Sequence, residues 1–170
     1  MPPNLKQRTK RRQLADIVDP VKRSEMMAGI RSKNTRPELV VRKTLHALGY
    51  RFRLHRKDLP GKPDVVLPKW GTVVFVHGCF WHGHERCPQF RLPKSKTTFW
   101  SNKIAANQRR DNIVKTELLS KGWRIIEVWE CAIKGPRRLK HESLSNFLSH
   151  AIELDQKDFV SIRGLNSVES

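Results

Sequence analysis

Acidic residues are scarce in this chain: 16 Asp and Glu stand against 34 Lys and Arg in 170 residues, a formal net charge of +18. That excludes an acidic scaffold. A folded chain with this excess repels itself unless a polyanion accepts the charge, and nucleic acid is the commonest such partner. No run of roughly eighteen apolar residues exists, so no membrane-spanning helix is expected, and Met1–Arg12 is polar and basic rather than an apolar signal segment. Cysteine is rare and odd in number, with three in all. This fits a secreted disulfide framework poorly and leaves reduced thiols or metal ligands in an intracellular, cytoplasmic protein. Internal repeats are absent.

What remains is enough for one domain with its own core. The first twenty residues are basic, lack apolar periodicity and end at Asp19-Pro20, so they read as an arm able to order on a polyanion. A single domain is expected over residues 21–155 and a tail over 156–170. A short helix is predicted from Ser24 to Ile30. Thr35-Arg36-Pro37-Glu38 has the form of a capping box, followed by Val41, Leu45 and Leu48 at helical spacing. Tyr50 to His55 alternates with strand period. Asp64–Leu67 and Thr72–Val76 are β-branched runs around Pro68-Lys69-Trp70-Gly71 and read as a hairpin.

Residues 78–97 form a loop too long for a mere connector. A helix follows over about Thr98–Lys121 with an inner stripe of Trp100, Ile104, Asn107, Asp111, Val114 and Leu118. The strand from Trp123 to Glu130, reached through that helix, is expected to lie parallel to Thr72–Val76. Leu144, Phe147, Leu148, Ala151 and Ile152 predict an amphipathic C-terminal helix. The order implies an α/β fold, a mixed β-sheet flanked by helices.

The loop is dense in chemistry. Cys79-x4-His84-x2-Cys87, with Cys131 following after 43 intervening residues, uses all three cysteines. Thiolate and imidazole are the ligands of closed, structural zinc sites, the alternative being that the thiols are simply buried. Asp64 at the start of one hairpin strand faces the end of the other. Its carboxylate and a main-chain carbonyl near Val76 offer hard oxygen ligands for Mg²⁺ against a phosphate, or Asp64 is a turn carboxylate. Phosphodiester hydrolysis also needs an activated water. His77, His82 and Glu38 are candidates, and Asp111 on the inward stripe is a natural orienter for His82. Phe80-Trp81, set among polar residues, either wedge between base pairs or pack beneath the loop.

Together these residues resemble the very short patch repair (Vsr) DNA mismatch endonucleases, a branch of the restriction-endonuclease-like fold. The match runs through Ser24-x-x-Met27, Pro60-Gly61-Lys62-Pro63-Asp64, the block from Val74 through Phe80-Trp81-His82-Gly83-His84, Thr98-Phe99-Trp100, Asn107-x-x-Arg110-Asp111, and Gly122-Trp123-Arg124 to Ala132. The resemblance implies a Mg²⁺-dependent nick 5′ to the thymine of a T:G mismatch left by deaminated 5-methylcytosine. It implies Asp64 as metal carboxylate, His82 as base, Asp111 as its partner, and Glu38 and His77 completing the pocket. It further implies one structural zinc on Cys79, His84, Cys87 and Cys131, Phe80 and Trp81 as a wedge, and Met27 inserted from the opposite groove. Two Mg²⁺ ions and a monomer are implied, with mismatch-repair proteins and a DNA polymerase acting after the nick as partners. Val76 stands where the family carries threonine; its carbonyl can still hold metal. A homing or restriction nuclease of the same fold, and a non-catalytic zinc-dependent DNA-binding module, are the alternatives.

Overall fold

The computed structural model describes residues 33–54, 56–154 and 157–165. The basic arm, the helix expected from Ser24, and Met27 lie outside the described residues. The first described helix, α1 (Arg36–Ala47), starts where the sequence predicts: Thr35 caps it and both halves of the capping box form. Such a cap contributes about 1 kcal/mol. Val41 and Leu45 are its buried apolar face.

Strands β1 (Val65–Leu67) and β2 (Thr72–His77) pair antiparallel with Val65 opposite Val74. The short turn between them ends at Gly71, whose φ of 55° suits a residue without Cβ. The described part of the alternating segment, Tyr50–Leu54, does not become a strand. A lone bridge joins Arg53 to Val66, because three-residue β1 offers so short an edge. The long helix α2 (Thr97–Ser120) leads to β3 (Arg124–Trp129), which lies parallel to β2 with His77 opposite Trp129.

Two expectations near the C-terminus are corrected. The segment after Asp155 is not merely a tail: Phe159–Ile162 forms β4, parallel to β3, and the sheet order is β1-β2-β3-β4. The helix α3 (His141–Ser149) buries Leu144 and Leu148, but Phe147 is 51% exposed. The chain passes into a wider π-turn at His150–Leu154, and the buried stripe continues through Ala151 and Ile152 instead.

Strand alternation divides the core in two. Val65, Leu67, Val74, Ile126, Val128 and Ile162 pack with α1 and α3 on one side. Val66, Val73 and Ile125 pack with Leu118 of α2 on the other. Helices therefore cover both faces of a mixed sheet, as the restriction-endonuclease-like reading requires. Because β2 and β3 are parallel, their C-terminal ends share one edge. His77, the following loop and Cys131 all leave from that edge, the usual place for a site in such sheets. Among the described residues no helix is long and apolar enough to cross a membrane.

Candidate active site and metal centre

The loop after β2 turns at once around sulfur. Cys79, His84, Cys87 and Cys131 are all buried, and one donor atom from each lies within 4.8 Å of every other. His84 Nδ1 sits 3.4 Å from Cys79 Sγ and 3.5 Å from Cys131 Sγ. A tetrahedral ion with Zn–S of about 2.3 Å and Zn–N of about 2.0–2.1 Å gives an N···S edge of about 3.6 Å. The four residues thus fit zinc in identity, number and spacing, and a closed four-ligand set leaves no position for substrate. Trp129 stacks on the His84 ring at 3.9 Å between centroids. The Cys79 N–H donates to Glu130 at 3.1 Å and the Gly164 N–H to Cys131 Sγ at 3.4 Å. Without metal, the neighbouring Cys131 pushes the Cys79 thiol up, and Cys79 in turn holds Cys131 down at about 5.

Beside this sulfur cage lies a cluster without sulfur. The His77 and His82 rings stack in parallel, 3.9 Å between centroids and 2° between planes. His82 Nδ1 is 2.7 Å from Asp111 Oδ2 on α2. A carboxylate can only accept, so Nδ1 carries the proton and Nε2 is left as the basic nitrogen. Burial alone would raise the Asp111 carboxyl. The His82 hydrogen bond and the neighbouring His82, His77 and Arg110 charges outweigh burial and hold it below its ordinary value. The cluster opens on a cavity of about 420 Å³ lined also by Gln108, Asn112 and Glu127. Helix α2 ties the loop down through Asn107 to the Trp81 carbonyl at 2.8 Å and Gln108 to the His82 and Gly83 carbonyls at 3.3 Å. Gly83, at φ +61°, is needed there, since a Cβ would come 2.6 Å from Gln108 Nε2.

Asp64 ends the β1 side of the site. Its Oδ2 accepts the Val76 N–H at 2.8 Å, while Pro63, lacking an N–H, leaves the Val76 carbonyl without a backbone donor from that position. Along a strand the N–H and C=O of one residue point the same way, so the Val76 carbonyl faces the same side as the Asp64 carboxylate. Burial pushes the Asp64 carboxyl up to about 6; the Val76 N–H opposes this, the Glu38 charge adds to it, and His77 and Arg42 oppose it. A buried acid raised by burial and a second acid is one that a divalent cation relieves, so the donor set fits a hard ion such as Mg²⁺. Glu38 is occupied locally: it accepts the Asn34 N–H at 2.9 Å, the Thr35 N–H and hydroxyl, and Arg42 Nη2 at 2.8 Å. The structure thus groups Asp64 with Val76, Glu38 and His77, and His77 with His82 and Asp111.

Phe80 and Trp81 are half-buried against Trp100 of α2, with ring centroids 5.4 and 6.0 Å from it. Phe99 extends this cluster into solvent at 59% exposure. Glu127 is a site residue that the sequence reading did not find: its Oε1 lies 3.2 Å from His77 Nδ1. One signal was present, since Glu127 is the one charged residue after Arg124 in a strand otherwise apolar.

A family model described as DNA mismatch endonuclease Vsr matches residues 15–89. The chain is 53% identical over 120 residues to the Type II nicking enzyme V.XorIIP of Xanthomonas oryzae pv. oryzae, covering 71% of this chain and 88% of that protein. It is 50% identical over 121 residues to the Type II nicking enzyme V.NmeAIP of Neisseria meningitidis serogroup A, covering 71% and 86%. It is 39% identical over 139 residues to the DNA mismatch endonuclease Vsr of Escherichia coli, covering 82% and 88%.

Proposed function

The chain belongs to the DNA mismatch endonuclease Vsr family, and from that premise we propose how its residues cut. It is a DNA mismatch endonuclease that nicks one strand of the duplex. The substrate is a T:G mismatch, and the bond hydrolysed is the phosphodiester 5′ to the thymine.

The His82–Asp111 contact at 2.7 Å beside the Asp64–Val76 corner carries this reading. Asp111 keeps the Nδ1 proton on His82, so Nε2 takes a proton from the attacking water as the new P–O bond forms. The opposite ester oxygen leaves with the electron pair of the broken P–O bond and is protonated from solvent. Asp64 and the Val76 carbonyl hold Mg²⁺, which when bound neutralises charge that develops on the phosphate. His77 lies against His82 and lines the pocket floor. Glu38 fixes the start of α1 and lends its charge to the Asp64 corner. The Cys79, His84, Cys87 and Cys131 cage holds one Zn²⁺ and fastens the loop bearing His82 to the sheet.

Phe80 and Trp81, braced by Trp100, wedge beside the mismatched step, where unstacking costs least, and Met27 enters from the other groove. The basic arm over residues 1–20 supplies positive charge for the DNA backbone, in keeping with the +18 charge. The enzyme works as a cytoplasmic monomer on double-stranded DNA, with two Mg²⁺ ions, ahead of a DNA polymerase and alongside mismatch-repair proteins.

The experiment is a nicking assay with Mg²⁺ on duplexes carrying T:G, A:C or no mismatch. Selective nicking at T:G, lost in Asp64→Ala, is expected. Equal cutting of paired DNA would favour a homing or restriction enzyme, and binding without cutting would favour the silent zinc module. Equal cutting by wild type and Asp64→Ala would overturn the metal assignment.

A further inference from the structure

Glu127 is the unexplained acid of this site. It sits on β3 opposite Phe75 of β2 and opposite Ser161 of β4, on the sheet face that meets α2. Its side chain is 17% exposed, that of His77 11%. A carboxylate this deep costs several kcal/mol unless it is paired and hydrogen-bonded. Both conditions are met. Oε1 is 3.2 Å from His77 Nδ1, a close contact lying off the hydrogen-bond line, and Oε2 accepts the Ser161 hydroxyl at 3.1 Å. The Trp129 indole N–H donates in turn to Ser161 Oγ at 3.1 Å. Two side chains from two strands, Ser161 of β4 and Trp129 of β3, therefore aim one carboxylate at one ring nitrogen.

The arrangement repeats the neighbouring one. Asp111 faces Nδ1 of His82; Glu127 faces Nδ1 of His77; the two imidazoles lie flat on each other. Stacking at 3.9 Å fixes the plane of the ring but neither its flip about Cβ–Cγ nor the nitrogen that carries the proton, so stacking alone does not choose which nitrogen meets the substrate. A carboxylate this close to Nδ1 does choose by its charge, since it repels a lone pair and attracts an N–H on the nearer nitrogen, leaving Nε2 as the free nitrogen. We propose that Glu127, braced by Ser161 and Trp129, is a positioning residue that locks His77 in the Nδ1–H tautomer and presents its Nε2 to the scissile phosphate alongside that of His82. The function of β4 follows: it supplies the hydroxyl that holds Glu127 in place. The inference rests on the catalytic reading above, since it assigns His77 a task at the phosphate.

Full-length, zinc-loaded protein is compared as wild type, Glu127→Gln, Glu127→Ala and Ser161→Ala. Imidazole ¹⁵N spectra report the tautomer of each histidine, and single-turnover nicking of a T:G duplex reports the rate on bound substrate. Both Glu127 variants are expected to lose the His77 Nδ1–H signature while His82 keeps its own. Their single-turnover rate should fall about 10- to 100-fold with duplex affinity nearly unchanged, and Ser161→Ala should fall less. The near-isosteric Glu127→Gln guards against misfolding, with zinc content and melting temperature as controls. A His77 tautomer that is unchanged in folded Glu127→Gln, or nicking within twofold of wild type, overturns the proposal. If wild type itself nicks no T:G duplex, the catalytic reading fails, and the spectra still decide whether Glu127 sets the tautomer.

Discussion

His77, His82 and His84 leave the end of one strand, yet they enter two sites of opposite character. His84 is buried, its Nδ1 turned to two sulfurs and its ring covered by Trp129. His82 is part-exposed, its Nδ1 turned to a carboxylate, and it opens on a cavity. In the first region every donor points at its neighbours, so the only thing it can bind is a small ion at its own centre. In the second the donors orient one another and leave a nitrogen facing outward. The difference lies in what each histidine's Nδ1 meets, sulfur or oxygen, and that choice separates a closed cage from an open cluster two residues apart.

Breaking each region should therefore have a different signature. The largest effect is expected from Cys131→Ser, which removes a ligand of the closed cage. Structural zinc contributes about 10–16 kcal/mol in small zinc domains, so stoichiometric zinc, melting temperature and nicking should fall together. Metal analysis beside calorimetry checks this; a fully active variant with no zinc would erase the contrast. In the open region, His82→Ala should slow single-turnover nicking by about 10²–10⁴-fold while zinc content and melting temperature stay near wild type.

Asp64 sharpens the comparison further, because its cost to the fold depends on pH. Its carboxyl is raised to about 6 in the folded protein, against an ordinary value of 3.8. The folded state then binds the proton more tightly than the unfolded one. Stability falls as pH rises between these values, and the cost is fully present above the upper one. Asp64→Asn should accordingly stabilise the Mg²⁺-free protein by roughly 2–3 kcal/mol at pH 7, with the gain vanishing near pH 4, although it abolishes cutting. Denaturant melts across that range measure it; a pH-independent difference would contradict the buried-charge account. The smallest effect is expected from Gln108→Ala, which frees the His82 and Gly83 carbonyls from α2. About 1 kcal/mol of stability should be lost, along with a few-fold loss in nicking rate, as the loop loosens without losing zinc.

Much of this division was legible in the residues. The capping box at Thr35 and Glu38, the hairpin and the inward Asp111 are local or periodic signals, and the structure realises each. The sulfur ligands were legible because few other uses explain three cysteines and a histidine at that spacing. What escaped depends on contacts distant in sequence. Phe159–Ile162 has four residues with a serine among them, too short for a period, and becomes a strand only because β3 offers it a partner. Tyr50–Leu54 has the period but only a short edge to pair with. Glu127 read as a polar interruption of β3, and nothing nearby in sequence announces that His77, fifty residues earlier, lies beside it.

The central claim is that Asp64 and His82 serve one phosphorus, and a double-mutant cycle on single-turnover nicking of a T:G duplex tests it most directly. Asp64→Ala, His82→Ala and the pair should be nearly equally slow, because groups acting on one step are not additive. Losses that multiply, so that the double variant is slower than either single by the full factor of the other, would place the two residues in separate tasks and contradict the account.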